Sequence, residues 1–423
     1  MSTHAHTTRQ NGASSKGQSA ASDLREQLPA TGLKEYWYPA IAARKVGKRK
    51  PVAMKIVDEE LVLFRDQQGE VAALQNACPH RGMPLAMGDC HFAGTVSCPY
   101  HGWTYNGEGE CVAVLGEGPD SAIAGMRDAR ARVYPTRTLK GIVFVWMGQG
   151  DPAPIEEDVP EEFFDTDSLI LSSVTTWQCN WRPAIENIFD AHVFYVHRNS
   201  VRYWLLPRDI FLSMSRMGSK RMRPEVTNGR ALTYRLEENP VRAQLGFKEE
   251  KPLSYQDVYP TLGGARWPKH AWRETWHGLI SKFRRQRNLP PLVRNKEWSS
   301  LHLPCTFRVD NRNYIYTRCT VPIDREQSRM FYFYTTRPRA AWKRVRDILV
   351  FYVWRNWLQN YNFSGQDRRL VENQHYDTPE KLSGTDLFPL ETRRLIVNYG
   401  RDFLRQRETS TEGATDIASK TTV

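Results

Sequence analysis

Between Tyr36 and Met147 the chain alternates short apolar, β-branched runs with polar turn signals. Val52–Val57, Glu60–Phe64 and Gly141–Trp146 each read as a strand. Asp66–Gly69 and Asn106-Gly107 read as hairpin turns. The pattern predicts a small all-β domain over 35–150. The run Gly148-Gln149-Gly150-Asp151-Pro152-Ala153-Pro154 breaks it as a linker would, and an acidic stretch follows from Glu156 to Asp167. From Leu169 onward the periodicity is mixed. A helical segment is predicted around 182–197, strands at Asn313–Thr317 and Met330–Tyr334, and a long helix over 339–360. This predicts a second domain over 151–407, in which an antiparallel sheet packs with helices, and an α+β fold class for the whole. Inside the long helix, Ile348–Trp354 is apolar between Arg346 and Arg355. Seven apolar residues cannot span a bilayer, and the segment is read as a core helix rather than one lying on a membrane. The two ends, 1–34 and 408–423, are read as disordered tails.

Composition adds little to this picture. At 40% hydrophobic and 25% charged residues, the 423-residue chain has the make-up of a soluble globular protein. Its formal net charge of +12 suits the docking of an acidic partner, and by itself does not separate that from nucleic-acid binding. The seven cysteines, at 78, 90, 98, 111, 179, 305 and 319, are odd in number and widely spread. They make no disulfide framework and point to a reducing, cytoplasmic location. Residues 1–22 hold only Arg9 and Lys16 as basic side chains and show no amphipathic stripe, so they read as a tail rather than a transit peptide.

The chemistry lies in two clusters of metal-ligand residue types. Cys78-x-His80 and Cys98-x2-His101 sit inside the β domain, separated by residues 81–97. Each offers one thiolate and one imidazole, and two Cys on one iron with two His on the other is the Rieske [2Fe–2S] arrangement. Pro79 and Pro99 stiffen the loops, and Gly82 and Gly102 allow close backbone approach. The competing reading is a Cys2His2 zinc site, but zinc fingers pair like with like at wider spacings. The second cluster is Glu186-Asn187-Ile188-Phe189-Asp190-Ala191-His192, followed by His197. Two histidines and an acid can form part of a two-His, one-carboxylate site for Fe(II). Taken singly, each of these residues is equally a packed core histidine or a surface ion-pair partner.

Cys78-Pro-His-Arg-Gly and Cys98-Pro-Tyr-His-Gly-Trp together resemble the Rieske domain of ring-hydroxylating non-haem iron oxygenases. Respiratory Rieske proteins carry an extra disulfide-forming Cys in each loop; Met83 and Tyr100 stand at the corresponding places here. The resemblance extends to Phe363-Ser-Gly-Gln-Asp367, and implies that His192, His197 and Asp367 hold a mononuclear iron. It further implies a helix-grip catalytic domain, and a role for Asp190, with Asn187 beside it, in linking that iron to a Rieske histidine of a neighbouring subunit. Ile185-Glu-Asn, Phe-Asp190, His197-Arg-Asn-Ser and Gly148-x-Gly-Asp-Pro-x-Pro are similar to the carbazole dioxygenase branch. One departure stands out. Asp190 lies two residues before His192, whereas the family places the acid three before. On an ideal helix His192 and His197 diverge by about 140°, so a local break is needed to bring them together.

The resemblance implies the terminal oxygenase component of a homotrimeric enzyme, with a [2Fe–2S] cluster and Fe(II) as cofactors. Its substrates would be O2 and a small organic, aromatic compound, hydroxylated, cis-dihydroxylated or oxidatively dealkylated. Gly107-x-Gly109 and Gly148-x-Gly150 lack the strand–turn–helix context of a nucleotide site, so electrons are expected from a separate ferredoxin, a reductase, or both. The basic run Lys282–Arg287 is a candidate landing place for that donor, and Trp267, Trp272 and Trp276 are candidate pocket residues. A Rieske electron carrier and a basic nucleic-acid-binding zinc protein are the rival readings.

Overall fold

The computed structural model describes residues 24–189, 196–197, 199–201, 222–227, 230–236, 299–310, 314–382 and 386–420. The first domain contains ten strands: β1 (Trp37–Ala42), β2 (Val52–Ile56), β3 (Glu59–Arg65), β4 (Val71–Gln75), β5 (Val96–Ser97), β6 (Trp103–Tyr105), β7 (Cys111–Val114), β8 (Val133–Tyr134), β9 (Thr136–Leu139) and β10 (Ile142–Trp146). They form three sheets, ordered β1-β10-β9, β2-β3-β4-β8 and β5-β6-β7. The strands expected at 52–57, 60–64 and 141–146 are β2, β3 and β10. Both expected turns form: the Asp66–Gly69 turn closes β3 to β4, and the Asn106 Oδ1 accepts from the Glu108 and Glu110 amides between β6 and β7. The β2–β3 turn was not foreseen. Val57 and Asp58 both take positive φ, 51° and 64°, unusual for a β-branched residue. Their amides donate to the carbonyls of Pro322 and Ile323 in the second domain, which holds the turn in place.

The second domain is one seven-stranded antiparallel sheet made of β11 (Leu169–Trp177), β12 (Met222–Thr227), β13 (Ala231–Leu236), β14 (Ser299–His302), β15 (Thr306–Asp310), β16 (Ile315–Pro322) and β17 (Ser328–Thr336). Its order is β11-β17-β16-β15-β14-β13-β12. The described helices are α1 (Trp181–Glu186), α2 (Ala341–Val350), α3 (Ser364–Val371), α4 (Leu387–Tyr399) and α5 (Arg401–Lys420). α1 is capped by Asn180, whose Oδ1 accepts from the Arg182 amide. Between α2 and α3 the chain runs as π-helix over Phe351–Arg355 and Trp357–Phe363. The sequence predicted a regular helix here; the wider i→i+5 winding is the kind of departure found beside functional sites.

A single hydrophobic core crosses the domain boundary. It includes Trp37, Val143 and Trp146 from the first domain and Val321, Phe331 and Phe333 from the second. Phe163 stands edge-on between Phe144 (5.3 Å) and Phe333 (5.0 Å), joining the two sheets. The segment read as a linker is fastened to the first domain, since the Trp37 indole donates to the Ala153 carbonyl at 2.7 Å. Just beyond it, the buried Asp158 accepts from the Trp37 amide, Arg230 and Arg401. A charge buried this deeply is tolerated because cations and an amide surround it.

Three expectations from the sequence are corrected. Residues 24–34 are not a loose tail: Leu28 and Leu33 are buried, and Trp181 and Asn180 donate to the carbonyls of Pro29 and Ala30. Residues 408–420 continue α5 rather than trailing as a disordered end. The Ile348–Trp354 segment is only half core: Phe351 is buried, while Leu349, Tyr352, Trp354 and above all Val353 (77%) are exposed. A continuous apolar run on a helix puts side chains on every face, and the sheet covers only one of them.

His302 on β14 supplies a test of the fold. Burial, and then the nearby Arg308 and Arg230, push its imidazole down to about 4. A histidine kept neutral in the folded state contributes stability in full above its unfolded pKa of about 6.5 and loses it as pH falls toward 4. We expect wild-type stability to drop by about 2 kcal/mol across that window relative to a His302→Gln variant, read from urea midpoints at each pH.

Candidate metal centres and active site

The two Rieske-type loops share one backbone frame. In the first, the Cys78 amide donates to the Met83 carbonyl and the Gly82 amide to the Cys78 carbonyl, each at 2.8 Å. In the second, Cys98 donates to Trp103 (2.8 Å) and Gly102 to Cys98 (3.1 Å). Gly82 and Gly102 close these frames with φ of 72° and 70°, a conformation L side chains rarely adopt. A Cβ on Gly102 would also meet the Leu115 Cβ at 2.7 Å. The frames match although the histidine stands two residues after Cys78 and three after Cys98.

Cys78 and Cys98 are buried, while His80 and His101 are partly exposed beside each other with ring centroids 4.6 Å apart. Trp103 stacks on His80 at 4.7 Å and Tyr100 on His101 at 3.7 Å. Among the described residues no three His, Cys, Asp or Glu side chains converge on a single ion. Two thiolates and two imidazoles are the set a Rieske [2Fe–2S] cluster takes, two Cys on one iron and two His on the other. The buried Tyr105 hydroxyl lies 3.3 Å from the Cys78 Sγ. Burial, then the neighbouring Cys78, hold this phenol far above its ordinary range, so it remains a donor. The donor set therefore fits a [2Fe–2S] cluster, with Tyr105 as a hydrogen-bond donor to one ligand sulfur. A donor stabilises the more negative, reduced cluster. Tyr105→Phe is expected to lower the midpoint potential by roughly 50 mV, measured by redox titration followed spectroscopically.

The second centre is partly described. His197 (3% exposed) and Asp367 (6%) are buried together, with Nε2 and Oδ1 3.2 Å apart. Two ligands at right angles, each about 2.1 Å from one metal, would stand about 3 Å apart, so this pair fits adjacent positions of a facial triad. The His197 ring stacks on Phe363 at 3.6 Å, which fixes its plane. Asn362 ties the following turn to the same helical run, its Oδ1 accepting from Ser200 Oγ and the Val201 amide at 3.0 Å each. Asn187 opens a 3-10 turn after α1, with its Oδ1 buried and without a hydrogen-bond partner among the described residues. Asp190 and His192 lie outside the described residues, as do Trp267, Trp272, Trp276 and Lys282–Arg287. Glu186 has a structural part: it pairs with the buried Arg393 and accepts from Tyr376.

Tyr105, Trp103, Phe363 and the pocket beside the π-helical run were missed from the sequence. The first two had a signal, since strand alternation places 103 and 105 on one face next to a ligand loop. Phe363 and the pocket had none, because they depend on how the helix crosses the sheet. That pocket encloses about 530 Å³ of empty space, part of it open to solvent, between β16, β17 and residues 351–360.

Comparison with known proteins identifies both domains. Residues 36–125 match the Rieske [2Fe-2S] domain, and residues 146–346 match the domain described as a homotrimeric ring hydroxylase. The chain joins a Rieske domain to a ring-hydroxylase domain. Among curated Rieske ring hydroxylases, the terminal oxygenase component of carbazole 1,9a-dioxygenase from Metapseudomonas resinovorans is 34% identical over 171 residues, 40% of this chain and 44% of that one. The oxygenase subunit of 3-chlorobenzoate-3,4-dioxygenase from Comamonas testosteroni is 30% identical over 43% of this chain and 42% of its own length. The match thus spans less than half the length of these relatives. Among solved structures, the carbazole dioxygenase terminal oxygenase from Nocardioides aromaticivorans IC177 superposes with a TM-score of 0.66 at 26% identity, over 90% of this chain and 98% of the other. That from Novosphingobium sp. KA1 superposes with a TM-score of 0.67 at 24% identity, over 93% and 99%, and carries the fold comparison alone.

Proposed function

We propose that this chain is the terminal oxygenase component of a multicomponent Rieske oxygenase, acting on a small aromatic compound and O2. The observation that carries the reading is the His197–Asp367 pair at 3.2 Å, in the same chain as two loops built to hold a [2Fe–2S] cluster. A simple carrier has no use for a second buried ligand pair. When bound, the cluster at Cys78, His80, Cys98 and His101 supplies single electrons, and Fe(II) at His192, His197 and Asp367 supplies O2 activation. The buried thiolates keep the cluster anchored, and the partly exposed His80 and His101 form its solvent-facing edge. Tyr105 holds a proton against the Cys78 sulfur. Phe363 orients His197, and Asp367 balances the charge of the metal.

Asp190 and Asn187 are proposed to carry the link to His101 of a neighbouring chain in a homotrimer. Electrons come from a separate ferredoxin, a reductase, or both, and the protein is placed in the cytoplasm. All seven cysteines are free, and no described helix is long and apolar enough to cross a membrane. Hydroxylation, cis-dihydroxylation and oxidative dealkylation are the reactions this chemistry reaches.

Metal analysis of the purified protein tests the reading. About three iron atoms per chain are expected, falling to two in His197→Ala. Two in both, with oxygen uptake unchanged by the variant, would leave an electron carrier. Mass spectrometry of products formed under isotopic O2 then separates monooxygenation from dioxygenation.

A further inference from the structure

The pocket beside the π-helical run offers a cation that forms no salt bridge among the described residues. It is lined by aromatic rings, chiefly Tyr316, Tyr332, Tyr334 and Phe351, with Arg355, Gln359 and Asn360 as polar side chains among them. The Arg355 guanidinium lies 4.7 Å over the Tyr314 ring and 5.8 Å from that of Tyr334. Its Nε is buried and has no hydrogen-bond partner among the described residues. Asp347, the acid on the same helical run, is taken by Arg346 at 2.7 and 3.0 Å. Asn360 is 6% exposed and donates through Nδ2 to Ser173 Oγ and Asn356 Oδ1, which leaves its Oδ1 buried and unmet. Buried polar groups are normally satisfied, so an unmet donor and an unmet acceptor at one cavity mark the place of a ligand. Asp367 stands seven residues after the pocket residue Asn360 on the same helical run.

We propose that this pocket receives the carboxylate of an aromatic acid, with Arg355 as the residue that selects it. A planar guanidinium matches a carboxylate fork, and the surrounding rings match an aryl body. As a statement about substrate, the inference rests on the oxygenase reading; as a statement about binding, it does not. The bland alternative is that Arg355 is only a packing cation between two tyrosines. In that case its loss would lower stability without altering ligand choice.

The test is equilibrium binding to the iron-loaded full chain, without O2 or an electron donor. Benzoate, 2-naphthoate and biphenyl-4-carboxylate are compared with their carboxamides by calorimetry. Carboxylates are expected to bind about 10-fold or more tightly than the matched amides. The ratio should fall to near one in Arg355→Gln and to an intermediate value in Arg355→Lys, which keeps the charge and loses the fork. A wild-type ratio near one, or a ratio unchanged in Arg355→Gln, would overturn the proposal. Should the Gln variant fail to fold, Arg355→Lys decides, and an unchanged ratio there also overturns it. Carboxylate preference in a protein that takes up no oxygen would sink the oxygenase reading and leave the pocket assignment standing.

Discussion

Replacing Asp367 with alanine is expected to empty the mononuclear site and leave the cluster untouched. Asp367 is buried, and its Oδ1 lies against His197 Nε2. It supplies the one negative charge in the proposed ligand set, so its loss removes both a ligand and the charge balance. Iron content should drop from about three to two per chain. Oxygenation should fall by more than about 100-fold, since loss of a mere supporting partner to a ligand already reaches that order. The visible spectrum of the cluster should persist, because its loops are framed by their own hydrogen bonds. Asp367→Asn keeps the shape and a contact to His197 while removing the charge. An asparagine variant that kept full iron and full turnover would show that Asp367 is no ligand.

Arg393→Met is expected to cost about 3–5 kcal/mol, read as a lowered urea midpoint. Arg393 is 1% exposed and bonds two carboxylates at once: Glu186 at 2.8 and 3.0 Å, and Glu380. Tyr376 donates to Glu186, and Arg25 reaches Glu380 at 3.6 Å while lying over the Tyr376 ring. Removing the central cation leaves two partly buried carboxylates facing each other, Glu186 held by the neutral Tyr376 hydroxyl and Glu380 by Arg25 at 3.6 Å. Removing all three charges together leaves none stranded, so Arg393→Met with Glu186→Gln and Glu380→Gln should recover much of the loss. Because Glu186 directly precedes Asn187, the single variant should also depress turnover more than a surface change of equal destabilisation.

The cluster loops were legible because everything that defines them is local. Ligand types, the prolines after each cysteine and the left-handed glycines all lie within six residues, and the structure returns them on matching frames. His197 and Asp367 were a different case. Their pairing spans 170 residues, and only the family resemblance brought them together before the fold did. The tyrosines at 314, 316, 332 and 334 were legible as strand alternation and nothing more. Their meaning depends on the run 351–360 crossing them, and that run winds as π-helix, which a 3.6-residue reading does not anticipate. The ends of the chain were misread because polar composition conceals the few residues that anchor them. Leu28 and Leu33 seat the first segment, and Arg401 fastens the last through Tyr36 and Asp158.

The core that runs unbroken from Trp37 and Trp146 through Phe163 to Phe333 has a kinetic consequence. A redox domain on a flexible tether must search by diffusion for its acceptor, and each electron waits on that search. Here the two domains share one packed interior, so the iron–sulfur end has no swing to make. Electron transfer is left to depend on distance, driving force and the small rearrangement of ligands already clamped by their own backbone. The gate on turnover then passes from domain motion to the arrival of the donor and of the substrate.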